Sequence, residues 1–200
     1  MKAYSFIYLI IYSCFIMSVS LQAQEHFADR YNVSYITMDD GLPHNSIDDI
    51  YKDTYGFLWI STVGGGLSRY DGYEFIHFNP NTPHSKLKSN FIHNVYEDRF
   101  HRLWIVSEGG TDIIDLSTLQ SVVPNDPKGL LPRFINHPTY IVILDSQGCI
   151  WLQCDNALHR ITFDAEGGID TLSTLDLPEL DEPDLILKDI DEDGKIDRKS

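Results

Sequence analysis

The chain has 200 residues, and positions 1–23 read as an export signal, which leaves 177 for a mature protein with room for one ordinary domain but not two large ones. Asp and Glu number 30 against 15 Lys and Arg, a formal charge of −15 that opposes contact with nucleic acid or anionic lipid. Hydrophobic residues at 42 % and aromatics at 12 % exclude disorder over most of the length.

At the N-terminus, Lys2 supplies a short positive segment and residues 4–19 are largely apolar. Leu21-Gln22-Ala23 ends in a small residue suited to a signal peptidase, so Gln24 is the expected first residue after cleavage. Cys14 lies inside the apolar run and follows the bulky Tyr12, which is unlike a lipoprotein signal. No later stretch approaches 18 apolar residues, so nothing after the export signal is expected to cross a membrane. Asn32-Val33-Ser34 matches a glycosylation sequon by form only.

The strongest signal is internal repetition. Asn45-Ser-Ile-Asp-Asp-Ile-Tyr-Lys-Asp-Thr-Tyr-Gly-Phe-Leu-Trp-Ile-Ser-Thr62 recurs 45 positions later as Asn90-Phe-Ile-His-Asn-Val-Tyr-Glu-Asp-Arg-Phe-His-Arg-Leu-Trp-Ile-Val-Ser107. A third copy runs from Tyr140 through Asp145, Gly148 and Trp151. The skeleton Asp-x-x-Gly-x-Leu-Trp-Ile contains Asp53, Gly56 and Trp59, then Asp98 and Trp104 with His101 at the glycine position, then Asp145, Gly148 and Trp151. Within a copy, an apolar run ending at the Asp predicts a strand. The Asp caps a tight turn whose glycine takes positive φ. Phe57–Thr62 predicts a second strand, Gly64-Gly65-Gly66 a hairpin turn, and Leu67–Tyr70 and Glu74–Phe78 two more strands. The second copy repeats this through Thr111–Asp115, with a less distinct fourth strand. The predicted fold is all-β: propeller blades, each a meander of about four antiparallel strands.

Asp39-Asp40-Gly41-Leu42-Pro43-His44-Asn45, the first repeat and Gly65-Gly66-Leu67-Ser68-Arg69-Tyr70-Asp71-Gly72 together resemble the two-component regulator propeller, over about residues 31–160. That repeat forms the periplasmic sensor region of hybrid two-component histidine kinases of the Bacteroides type. The resemblance implies tandem seven-bladed propellers, an immunoglobulin-like connector, a membrane helix, a kinase core, a receiver and a DNA-binding module. It also implies a homodimeric receptor that senses an oligosaccharide ligand. The expected organisation is a signal peptide at 1–23, an entry segment at 24–44 and repeats at 45–89, 90–136 and 137–175. An acidic linker and an incomplete fourth repeat follow at 176–200. A fourth tryptophan is due near 197, where the chain has Asp197, so the sequence reads as a sensor that stops inside its fourth repeat.

The same stretch matches much of a calcium loop, with Asp189, Asp191, Asp193 and Asp197 as ligands and Gly194 at the sharp turn, but position 12 is Ser200 rather than Glu. No other cofactor is expected. Cys149 and Cys154 stand about 16 Å apart on one expected strand, beyond disulfide reach, and read as small buried hydrophobes. The eight histidines never take zinc-ligand spacing, and no phosphate loop or nucleophile elbow occurs, so no catalytic residue is expected. Tyr55, Tyr70, Tyr73, Phe75 and Phe100 have rings suited to sugar stacking, with core or inter-blade packing the competing role. The leading function is a non-catalytic sensor module. Alternatives are a propeller enzyme of the streptogramin-lyase type and a small calcium-dependent binding protein.

Overall fold

The computed structural model describes residues 34–83, 86–154 and 157–176. The signal segment, Cys14 and the acidic stretch with Asp189, Asp191, Asp193 and Asp197 lie outside them. The chain divides after Ile36, and the unit beginning at Thr37 carries the strands found among the described residues. Blade 1 is the antiparallel meander β1 (Ile47–Lys52), β2 (Leu58–Thr62), β3 (Gly66–Tyr70) and β4 (Phe75–Phe78). Blade 2 comprises β5 (Ile92–Glu97), β6 (Arg102–Ser107) and β7 (Gly110–Asp115). A short helix, α1 (Pro132–Ile135), precedes blade 3, which is β8 (Thr139–Leu144), β9 (Ile150–Cys154), β10 (Ala157–Phe163) and β11 (Ile169–Asp176). The sequence showed no sign of α1, nor of the 3-10 turn at Met38–Asp40 capped by Thr37. Where blade 2 should have a fourth strand there is one bridge, Ile114 to Ser121. Pro124, three residues on, lacks an N–H and cannot extend a ladder.

The repeated Asp does more than the turn-capping expected of it. In blade 1, Asp53 Oδ1 accepts the Phe57 N–H at 2.9 Å, while Oδ2 accepts Trp59 Nε1–H at 2.8 Å. In blade 2, Asp98 Oδ1 accepts from the amides of Phe100 (2.9 Å) and Arg102 (3.1 Å), and Oδ2 from Trp104 Nε1 (2.8 Å) and Arg102 Nε (2.7 Å). Asp145 does the same with Gln147, Cys149 and Trp151, each at 2.9 Å. One carboxylate therefore fixes both the turn and the indole across it. The bond from Asp53 to Phe57 also explains why β2 starts at Leu58 rather than Phe57. The turn requires a left-handed residue, φ 95° at Gly56 and 76° at Gly148, and His101 adopts it at 57°. A side chain there costs about 1 kcal/mol, offset by contacts of His101 Nδ1 with Glu97 Oε1 at 2.9 Å and Thr54 Oγ1 at 3.2 Å.

Strand alternation builds one core between each pair of blades. Along β6, Leu103 and Ile105 face blade 1 and join Trp59, Leu67 and Phe78. Trp104 and Val106 face blade 3 and join Val142, Ile150, Leu152 and Ile161. Trp59 and Trp104 are each fully buried, packed between blades. Burying a tryptophan without pairing its N–H would forfeit several kcal/mol, which is why the Asp accompanies it. Cys149 and Cys154 are both buried and free. Burial, then the neighbouring Asp145 carboxylate, push the Cys149 thiol up.

The first strand of each blade carries an irregularity, between Ile47 and Asp49, Ile92 and Asn94, and Thr139 and Ile141. The residue after this bulge pins the next blade. Asp49 Oδ2 accepts the Val95 N–H at 3.2 Å. Asn94, at the same place in blade 2, accepts the Val142 N–H and donates to the Val142 carbonyl, both at 3.0 Å.

Two outcomes follow from these pins and clamps. Asp98→Ala leaves Arg102 buried without its carboxylate and should cost about 3–5 kcal/mol, against about 1–3 kcal/mol for Asp53→Ala. Urea denaturation of both variants checks the order; equal losses would remove Arg102 from the explanation. Burial holds the Asp49 carboxyl above its ordinary value, only partly opposed by the Val95 and Ile50 amides. Its folded value being the higher one, its contribution to stability is full under acid conditions and erodes as pH rises through that value. Asp49→Asn should abolish this erosion and add the second bond Asn94 makes, so its melting temperature should exceed wild type most above the folded value.

Candidate functional site

Bulges re-aim side chains, and here they do so three times in register. The skipped residues are Asp48, His93 and Tyr140, at the entry ends of β1, β5 and β8. The three first strands run beside one another, so the bulged residues of neighbouring blades come close together. His93 and Tyr140 rings lie 5.3 Å apart, centre to centre. Asp48 and His93 line a cleft of about 300 Å³ with Val63, Phe91, Ile92 and Glu108.

Two equivalent backbone bonds set the walls. The Val63 amide donates to Ser46 O at 3.1 Å and the Glu108 amide to Phe91 O at 3.2 Å, tying each hairpin turn to the entry of its blade's first strand. Gly64 leaves room for the Phe91 ring, which would lie 3.7 Å from a Cβ there. Phe91 is 48 % exposed and Val63 43 % exposed, so the cleft presents an apolar floor to solvent. Asp48 and Glu108 add hydrogen-bond acceptors, and His93 Nε2 is buried with no protein partner. A flat ring flanked by acceptors and an imidazole suits a polyhydroxylated ring with one apolar face. It offers no paired nucleophile and base.

The residues singled out by repetition lie elsewhere. Asp53, Gly56, Trp59, Asp98, Trp104, Asp145, Gly148 and Trp151 form the three turn–indole clamps within the blades, with no part in the cleft. Burial alone would raise the Asp145 carboxyl, but hydrogen bonds from Cys149, Trp151 and Gln147 and the charge of Arg160 outweigh it and hold it below its ordinary value. The aromatics considered for stacking are otherwise engaged: Tyr70 stacks on Phe75 at 4.6 Å, Phe100 meets Phe163 at 5.7 Å across blades, and Tyr55 lies 5.6 Å from His101. Tyr73 is 91 % exposed, on the β3–β4 turn. Among the described residues no three His, Cys, Asp or Glu side chains could together hold a metal ion, and the proposed calcium ligands lie beyond residue 176. What the sequence reading missed is the variable position inside the repeat. Ile47 and Ile92 match and Asp49 and Asn94 are close analogues, while the residues between them, Asp48 and His93, differ in chemistry.

Because Phe91 is exposed, Phe91→Ala should leave stability within about 0.5 kcal/mol of wild type. A larger loss in urea denaturation would make it a packing residue.

Residues 41–64 and 86–109 match the family described as the two component regulator propeller. The extracellular domain of BT4673 from B. thetaiotaomicron, a proposed one component system, is 25 % identical with a TM-score of 0.51, over 66 % of this chain and 19 % of that one. The extracellular domain of BT3049 from the same organism, a proposed hybrid two component system, shares the fold at 21 % identity and a TM-score of 0.56, over 72 % of this chain. This chain thus spans about a fifth of those relatives, 19 % and 20 % of their lengths. A streptogramin B lyase overlaps 70 % of the chain at 16 % identity and a TM-score of 0.46. No curated protein matches. Among the described residues no helix is long and apolar enough to cross a membrane.

Proposed function

We propose that this chain of two-component regulator propeller repeats is an extracytoplasmic, periplasmic ligand-sensing region that binds an oligosaccharide without acting on it. The observation that carries this reading is the cleft at the mouths of β1 and β5, where the exposed Phe91 ring is flanked by Asp48, Glu108 and His93. Sugar rings have apolar faces that stack on aromatic side chains and hydroxyls that donate to carboxylates. The net charge of −15 selects neutral glycans over acidic ones. In a receptor, occupancy of the cleft would favour one relative arrangement of blades 1 and 2 and shift a conformational equilibrium read by the coupled domains.

Titration calorimetry of the purified chain against a panel of neutral oligosaccharides tests this. At least one should bind, with no turnover of the glycan, and Phe91→Ala should weaken it by about tenfold or more, as loss of a stacking anchor does. Absence of binding by folded protein across the panel, or binding unchanged in Phe91→Ala, would overturn the assignment to this cleft.

A further inference from the structure

The mouths of the three blades repeat more than their bulges. In the cleft between blades 1 and 2, the bulged Asp48 and the hairpin residue Val63 come from one blade. Phe91, Ile92, the bulged His93 and the hairpin residue Glu108 come from the next. One blade further on, the registers of β5 and β8 put His93 and Glu108 in the places of Asp48 and Val63. Thr139 and Tyr140 then stand where Ile92 and His93 stood. His93 and Glu108 thus close the first cleft and open the next position.

Glycine packing shows how one hairpin can serve both positions. The β6–β7 hairpin is wedged between the entry segments of two blades. A Cβ on Gly109 would lie 2.9 Å from Lys88, which leads into β5. A Cβ on Gly110 would collide with Ile135 O and lie 3.3 Å from His137 O, in the segment that leads into β8. Glu108, next to these two glycines and exposed, stands at both junctions.

Tyr140 is held against blade 2 from both sides. Before it, Thr111 Oγ1 of β7 donates to Thr139 Oγ1 at 3.1 Å, and that hydroxyl donates to His137 O at 3.0 Å. After it, Asn94 makes both of its bonds to Val142. At the opposite ends of the strands, projecting turns tie blade to blade. Thr54 Oγ1 donates to Glu97 Oε1 at 2.6 Å, and Arg99 Nη2 to the carbonyls of Phe163 (3.2 Å) and Asp164 (3.3 Å). A ring whose backbone is fixed in this way loses little freedom when a ligand rests on it. Its centre lies 5.3 Å from that of His93, so the wall of the first cleft passes into Tyr140 without a gap. Tyr140 is exposed. So is Asp48, although blade 2 follows it, and the openness therefore belongs to the bulge position itself.

We propose that the glycan-binding surface continues from the cleft over the mouth of blade 3, with Tyr140 as a second stacking platform and His93 and Glu108 shared between neighbouring sugar units. This rests on the reading of the cleft as a glycan site, and it adds that the ligand is a chain of sugars laid across the blades. Phe91 and Tyr140 belong to different sheets, and packed sheets stand about 10 Å apart, a span that takes more than one sugar ring. Glu108 lies between them and offers its carboxylate to hydroxyls of either unit.

Titration calorimetry of the chain with cello-, malto- and manno-oligosaccharides, each from dimer to hexamer, tests this. In a series that binds, affinity should rise with length and then level off. Tyr140→Ala should weaken the long members by about tenfold and leave the shortest binder unchanged, whereas Phe91→Ala should weaken every length. Tyr140→Phe keeps the ring and should bind as wild type does. Tyr140→Leu, with apolar bulk but no flat face, should behave as the alanine variant and replaces it if that variant fails to fold. Long glycans bound equally by wild type and Tyr140→Leu, with Phe91→Ala weakened, would overturn the extension and leave the cleft standing. Affinity independent of length would do the same. Absence of binding to every series by folded protein, or binding indifferent to both Phe91 and Tyr140, would overturn the cleft and its extension together.

Discussion

Everything in a blade hangs on one buried carboxylate that serves two masters. Its first oxygen holds the turn between the first two strands, and its second holds the indole N–H of a tryptophan six residues further on. Without that acceptor the tryptophan would bring an unpaired donor into the interface between blades. Without the tryptophan the carboxylate would sit buried with half its capacity unused. Each makes the other tolerable, and the pair then orients the second strand so that its indole faces the following blade. The turn between β10 and β11 shows the partial case: Asp164 Oδ1 accepts the Gly168 N–H at 2.7 Å, but the residue six further on is Asp170 and no indole is clamped.

Two kinds of connection then join blade to blade. Apolar faces alternate along the second strands and fill the space between sheets, which gives adhesion without register. Register comes from polar side chains placed next to the bulges, Asp49 and Asn94, and from the projecting turns. The bulge that aims these pins inward also displaces its neighbours, Asp48, His93 and Tyr140, toward the mouth of the assembly. One local irregularity therefore positions both the structural pin and the residue available for recognition, which is how an even scaffold comes to display uneven chemistry.

The blades were legible in the sequence because their signals are local. Strand, Asp-capped turn, Leu-Trp-Ile strand and glycine hairpin all fall within about twenty residues, and the observed strands start or stop within a residue or so of those expected. The weak fourth strand of blade 2 was legible too, and Pro124 supplies its cause. The bond between Asp and Trp was not. A capped turn accounts for Asp-x-x-Gly by itself, and nothing in one dimension says that the other carboxylate oxygen points at an indole. Nor was the cleft. Its residues are distant in sequence and are assembled by a bulge, and a bulge is one unpaired residue with no composition of its own. Repetition pointed to the conserved positions, which turned out to be scaffold. The cleft proposed for recognition sits at the position repetition leaves free.

Most of the bonds that cross between blades end on main chain. Val95 N–H, both polar groups of Val142, and the carbonyls of Phe163, Asp164 and Gly167 receive side chains from the blade before. A main-chain carbonyl is present whatever residue occupies the position, and an N–H at any residue but proline, so the receiving blade needs no matching substitution to be received. Glu97, His101 and Thr139 are exceptions, the first two meeting Thr54 and the third meeting Thr111 with their side chains. A duplicated blade inserted into such an array would find its docking groups already in place, and only the blade that reaches forward would have to change. Lengthening or shortening the array is thereby a one-sided problem for evolution, and arrays built this way can vary in length more readily than those whose neighbours must co-evolve pair by pair.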